Sequence, residues 1–178
     1  MGADGKANIL FVCLGNICRS TMSEGVFRHL AKSSTPHPLV GEVDSCGTGA
    51  YHVGDGPDSR TMSTLEDHGI TDYDHCARKF SHPEDFHRFD YILAMDRENL
   101  SDLLRLRNSH EKKLKADGQD EKIGRLGKVM LFGDFGGRKG EVVDDPYYGG
   151  RNGFEIAYKQ AMRFSEGLLK HLEAERSA

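Results

Sequence analysis

The stretch that most constrains this chain is Asn8-Ile-Leu-Phe-Val-Cys-Leu-Gly-Asn-Ile-Cys-Arg-Ser20. It opens as an apolar run closed by a Gly-Asn turn signal, the pattern of a buried strand. Beyond Arg19 the period changes. Val26, Phe27 and Leu30 recur at helical spacing, and Thr21-Met-Ser-Glu24 fits an N-terminal capping box. The order is therefore strand, tight loop, helix, with Cys13 ending the strand and Arg19 opening the helix.

That order has a chemical consequence. Free amides at a helix N-terminus, with amides turned inward by a tight loop, make a nest for an oxyanion. Here the nest would be built from Leu14, Gly15, Asn16, Ile17, Cys18 and Arg19. Positive surroundings of this kind favour a cysteine's thiolate over its thiol, so Cys13 is expected to face the nest as an anion. Arg19 adds a planar fork matched to two phosphoryl oxygens. A thiolate, an amide cradle and an arginine are the parts needed to take a phosphoryl group from an ester. The plain alternative is an inert cysteine closing a core strand.

The rest of the chain sets bounds on that chemistry. Its 178 residues suit one domain. A net charge of −4 argues against a general nucleic-acid binder. No apolar stretch is long enough to span a bilayer, and Met1-Gly-Ala-Asp-Gly-Lys6 has neither a signal-peptide core nor a myristoylation serine. A cytoplasmic protein is expected, a monomer with a weak dimer as the alternative. The cysteines, Cys13, Cys18, Cys46 and Cys76, form no CxxC pair and no zinc-type spacing. They are expected to be reduced at rest.

Strand and helix signals alternate along the chain. Val40–Cys46 reads as a second strand after a turn-rich stretch from Ser33 to Pro38, and Gly47–Pro57 as a glycine-rich loop. Asp58 would cap a helix ending near His68, with Gly69 as its stop, and Ser81-His-Pro-Glu84 opens a short helix through Arg88. Tyr91–Met95 and Val129–Phe132 read as strands, and Asp96 caps a helix carrying Leu100, Leu103, Leu104 and Leu106. Residues 107–127 are charge-rich, with Lys112, Lys113 and Lys115 clustered. They are expected to be a solvated loop or helix extension rather than a partner-binding patch. A last helix, from about Asn152 to Glu173, stripes Phe154, Ala157, Ala161, Phe164, Leu168 and Leu172 on one face. The expected fold is α/β over residues 1–178. It has a twisted parallel sheet of about four strands, helices on both faces, a phosphate-binding loop after the first strand and a disordered tail at 1–6. In such sheets ligands bind beyond the C-terminal strand ends, where Cys13 sits.

Expelling an alkoxide or phenoxide from phosphorus asks for a general acid. Val142-Val-Asp-Asp-Pro-Tyr-Tyr-Gly149 offers Asp144 and Asp145, and Pro146 holds the residue before it extended. Tyr147 and Tyr148 could stack on an aromatic leaving group. A surface turn is the plain alternative.

Two segments carry a family resemblance: Val12-Cys-Leu-Gly-Asn-Ile-Cys-Arg-Ser20, with its Cys-x5-Arg spacing, and Asp145-Pro-Tyr-Tyr-Gly149. Both resemble the low-molecular-weight protein tyrosine phosphatases. Val43–Ser45, Gly49–Tyr51, His75–Arg78 and Phe89–Asp96 also look like family segments, so the resemblance covers nearly the whole chain. It implies hydrolysis of protein phosphotyrosine through a phosphocysteine, without metal or cofactor, and binding of phosphate, sulfate or vanadate. By resemblance Cys13 is the nucleophile, Arg19 binds phosphate and Asp145 is the general acid. Ser20 would donate to the Cys13 thiolate, and Asn16 would hold the loop through Ser45 and His75. Tyr51, Tyr147 and Tyr148 would border the substrate ring. Cys18 would capture an oxidised Cys13 as a disulfide. The chain departs from the pattern at Thr21, where a proline usually stands, in a longer stretch between Asp96 and Asp145, and in its N-terminal tail.

Three rival readings share the loop. Arsenate reduction on this fold needs relay cysteines, and Cys46 and Cys76 lie in the wrong stretches. A phosphoarginine phosphatase would resemble a form with Thr at position 17, whereas Ile17 and the tyrosine pair favour an aryl phosphate. A non-catalytic phosphotyrosine reader would keep Arg19 but has no need of both Cys13 and Asp145.

Overall fold

A computed structural model of the chain describes residues 5–32, 35–150 and 152–177. Four parallel strands lie at its centre: β1 (Ala7–Cys13), β2 (Val40–Gly47), β3 (Tyr91–Ala94) and β4 (Lys128–Leu131), in the order β2-β1-β3-β4. The helices are α1 (Arg19–Lys32), α2 (Ser59–Asp67), α3 (Glu84–Arg88), α4 (Arg97–Ala116) and α5 (Asn152–Ser177).

The side-chain alternation of β1 divides the core. Ile9, Phe11 and Cys13 join α1 and α5 residues, including Val26, Phe27, Phe164 and Leu168, on one face. Leu10 and Val12 join Phe86 of α3, Phe89 just after it, and Leu103 and Leu114 of α4 on the other. Both faces of β1 and β3 are thus covered, as their continuous apolar runs require. The α5 stripe named above is buried throughout, from Phe154 to Leu172.

The chain order reverses across the sheet between β1 and β3, where an open parallel sheet leaves a crevice at its carboxyl edge. Register brings Cys13 opposite Gly47 and Val12 opposite both Cys46 and Ala94. The ends of three strands therefore open on one place.

Several boundaries differ from the sequence reading. Helix α1 starts at Arg19, so Thr21-Met-Ser-Glu24 is not its capping box. The Thr21 hydroxyl donates back to the Cys18 carbonyl at 3.0 Å, and Glu24 turns inward to accept from Tyr73 Oη at 2.5 Å. The oxyanion loop, not a cap side chain, starts this helix. At α3 the Ser81 amide donates to Asp85 Oδ2 at 2.8 Å rather than to Glu84. The charged segment is ordered as helix to Ala116 and as a 3₁₀ helix over Asp120–Arg125, because Leu114 and Leu126 reach the α3–α4 core. The last helix continues to Ser177. Residues 1–4 of the proposed tail, and Ser33 and Ser34 of the turn after α1, lie outside the described residues. Among the described residues no helix is long and apolar enough to cross a membrane.

Candidate active site

The loop after β1 turns on Asn16, the only non-glycine residue described with positive φ, at 57°. Asparagine tolerates the left-handed region better than most residues, yet the conformation still costs free energy. Its carboxamide offsets that cost. Nδ2 donates to Ser20 Oγ and to Ser45 Oγ, each at 2.9 Å. Oδ1 accepts from the Arg78 amide at 3.0 Å and from His75 Nε2 at 2.8 Å. Two donors and two lone pairs are all used, at a residue only 1% exposed. The Arg78 amide fixes which end of the carboxamide is oxygen, so His75 must carry its proton on Nε2.

This network ends at the sulfur. Ser20 Oγ accepts from Asn16 and lies 3.0 Å from Cys13 Sγ, placed to donate its hydrogen to a thiolate there. The Asn16 amide also points at Cys13 Sγ, at 3.3 Å. From outside, Thr48 N donates to the Cys13 carbonyl and Gly49 N to that of Leu14, both at 2.9 Å. Gly47 lets this second loop approach, since a Cβ there would come within 2.6 Å of the Leu14 carbonyl oxygen.

Arg19 is 4% exposed and fixed from one side. Its Nη1 donates to Asp96 Oδ2 at 2.5 Å and to the Val143 carbonyl at 3.1 Å. Asp96 Oδ1 meanwhile accepts from the Asn99 amide at 2.8 Å, so one carboxylate caps α4 and aims the arginine. Burial opposes the guanidinium's charge, but Cys13, Asp96 and Asp145 outweigh it and hold its pKa above the ordinary range. Arg19 Nη2 lies 3.5 Å from Asp145 Oδ2.

The cleft above these groups has a volume of about 380 Å³. Leu14, Gly15, Ile17 and Cys18 form its floor with Cys13 and Arg19, while Asp145, Tyr147, Tyr148 and Tyr51 stand around it. Asp144 is not among its lining residues. Tyr51 and Tyr148 are largely exposed, and the Tyr147 and Tyr148 rings meet edge-to-face at 4.8 Å. The loop carrying Asp145 is also tied on either side of that residue. Val143 N donates to the Met95 carbonyl at 2.8 Å, and Arg60 Nη1 donates to the Tyr147 carbonyl at 3.1 Å. The Arg60 guanidinium also lies over the Tyr147 and Phe154 rings and pairs with Asp58.

The residues given catalytic, binding or supporting roles by the resemblance lie in this cleft or in the network beneath it, and the alternative acid Asp144 does not line it. Four others belong with them: Asp96, His52, Arg60 and Arg78. Asp96 carried a usable signal, an acid directly after a central parallel strand. His52 lines the cleft but was one polar residue in a glycine-rich loop. Arg60 and Arg78 meet their partners across 87 and 62 residues of chain, a relation that no local pattern encodes. Burial first, then the charges of Asp58, Cys13 and Asp145, pushes the Cys18 thiol up to about 12 against the pull of Arg60, so it is a neutral thiol at pH 7.

A parallel α/β domain with a cysteine-centred oxyanion loop at its switch point defines a class, and comparison with known proteins places the chain within it. The family model for low molecular weight phosphotyrosine protein phosphatase matches residues 8–178. The chain belongs to that family. A Schizosaccharomyces pombe protein of that name is 44% identical over 165 residues, covering 92% of this chain and 96% of the relative. An Entamoeba histolytica protein tyrosine phosphatase, solved with Hepes in its active site, superposes with a TM-score of 0.78 at 32% identity, covering 96% and 99% of the two chains. DARP, described as a Drosophila arginine phosphatase, superposes with a TM-score of 0.77 at 35% identity, covering 92% and 96%.

Proposed function

We propose that this protein hydrolyses protein phosphotyrosine by two displacements through a phosphocysteine. The observation that carries the reading is the convergence of Cys13 Sγ, the loop amides, Arg19 and Asp145 on one cleft walled by tyrosines. Phosphate oxygens would be held by the amides from Leu14 to Arg19 and by the Arg19 edge that Asp96 leaves open. Inorganic phosphate, sulfate and vanadate would occupy the same place. Cys13 Sγ attacks phosphorus as the P–O bond to the tyrosyl oxygen breaks, and Asp145 gives that oxygen a proton. Asp145 then takes a proton from the water that attacks the thiophosphate, and the P–S bond breaks to free the Cys13 thiolate. Ser20 steadies the sulfur as an anion, and Asn16, Ser45 and His75 keep the loop in shape. Tyr51, Tyr147 and Tyr148 sort substrates by stacking on an aryl group.

In the same reading, peroxide converts Cys13 to a sulfenic acid, and the Cys18 sulfur displaces water from it to form a disulfide. Burial of the Cys18 thiol opposes that second step, so capture should be slower than at an exposed thiol. The four cysteines are unpaired, which suits a reducing compartment, and we assign the protein to the cytoplasm.

The DARP comparison makes phosphoarginine the substrate to compete against. The observation favouring tyrosine is that Ile17 and three tyrosines line the cleft. Hydrolysis of phosphotyrosyl and phosphoarginyl peptides, with EDTA present and with Cys13→Ser as control, tests the assignment. Vanadate-sensitive turnover favouring phosphotyrosine is expected. Preference for phosphoarginine would overturn the substrate class, and phosphate binding without turnover would make the protein a reader.

A further inference from the structure

At the edge of the sheet opposite Cys13, three histidines gather between α3 and α4: His82 just before α3, His87 within it and His110 in the second half of α4. The rings of His87 and His110 meet edge-on, centroids 5.0 Å apart, with their Nε2 atoms separated by 2.8 Å. His82 stands against the same His110 ring at 5.9 Å and reaches the Leu106 carbonyl through Nε2 at 3.1 Å. None of the three takes part in the site described above.

Two ring nitrogens this close cannot both carry hydrogen, so one donates and the other presents a lone pair. His110 is only 7% exposed. Burial first, then the charges of His87, His82 and Lys113, lowers its pKa against the opposing charge of Glu84. It is therefore neutral at pH 7, the form that binds metal. Metal–imidazole bonds of about 2.0–2.1 Å place two nitrogens ~2.9 Å apart at a right angle and ~3.4 Å apart at the tetrahedral angle. The observed separation lies just short of that range, and His87, exposed on the short helix α3, can pivot outward to meet it. His87 also lines an open cavity of about 440 Å³, so solvent reaches its ring.

We propose that His87 and His110 form a two-nitrogen site for a borderline divalent cation, Ni²⁺, Cu²⁺ or Zn²⁺, that bridges α3 to α4. Water completes the coordination. The imidazole now donating through Nε2 moves its hydrogen to Nδ1, so the neutral pair loses no proton and nothing changes oxidation state. The other convergent group among the described residues, Glu24, Asp44 and His75, differs in kind. Arg28 and Arg78 already balance its carboxylates, and His75 is committed to Asn16.

Calorimetric titration of the full chain with NiCl₂ tests the proposal, using His87→Ala, His110→Gln and, as a surface-histidine control, His37→Ala. Wild type and His37→Ala should bind alike, and both pair variants should bind at least ~10-fold more weakly. NiCl₂ should raise the melting temperature of wild type but not of His87→Ala, whose side chain is exposed and whose fold circular dichroism checks. Failure of the wild type to bind Ni²⁺, or a loss under tenfold in either pair variant, overturns the site.

Discussion

The two loops that meet over the cleft are built on opposite plans. The loop from Cys13 to Ser20 is buried except at its rim, where Leu14 is exposed and Gly15 and Ile17 are half-buried, and the Asn16 side chain at its turn has every hydrogen-bonding position filled. The loop from Asp144 to Gly150 is exposed except at Pro146, and the Asp145 carboxylate rests on the Tyr147 amide at 3.1 Å and on Arg19 at 3.5 Å. The first must hold amides and sulfur in place before phosphate arrives, because preorganised dipoles act without reorganising during the reaction. The second must reach a leaving group whose position varies with the substrate, and a lightly held turn suits that task.

The contrast can be broken at four places. Asp145→Ala should slow phosphotyrosine turnover by ~10²–10⁴ while leaving an aryl phosphate with a good leaving group nearly untouched. An equal loss on both substrates would show that Asp145 shapes the cleft instead. Asn16→Ala removes four hydrogen bonds and leaves their partners buried, so stability should fall by about 2–4 kcal/mol, read by urea denaturation. A drop under 1 kcal/mol would mean that the loop does not depend on its carboxamide.

Beneath that loop, burial first raises Glu24 to about 7 from its ordinary 4.5, with the bond from Tyr73 and the charge of Arg28 opposing and that of Asp44 reinforcing. The folded chain then keeps a proton that the unfolded chain has lost. Stability should therefore fall as pH rises from about 4.5 to 7, by up to roughly 3 kcal/mol. Glu24→Gln should flatten that slope, and denaturation midpoints at pH 5, 6, 7 and 8 would show it. The smallest change is expected from Arg60→Ala, which frees the Tyr147 carbonyl. Turnover should fall about tenfold with KM little altered, because a misplaced acid affects the reaction more than binding. A change confined to KM would place Arg60 in substrate recognition.

How far the sequence could be read differs between the same two loops. Asn16 and Ser20 sit within a few residues of Cys13, so the cradle is written in one short segment, and the strand–loop–helix pattern locates it. Asp145 announced itself only through Pro146 and the tyrosines. Its tie to α2 through Arg60, like the support of Asn16 by Arg78, depends on packing. The capping pattern at Thr21–Glu24 misled because a helix begun by a folded loop needs no cap side chain, which released Glu24 for the interior.

Most of the elements, the continuous burial of β1 and the segment able to bind an oxyanion were legible in the sequence alone. All of these follow from neighbours within a few residues of one another. Packing alone brought Asp96 to Arg19, Arg60 to the Tyr147 carbonyl and His87 to His110. Those contacts join residues far apart in the chain, and which of many polar groups meet is set by how helices and strands pack, not by local spacing.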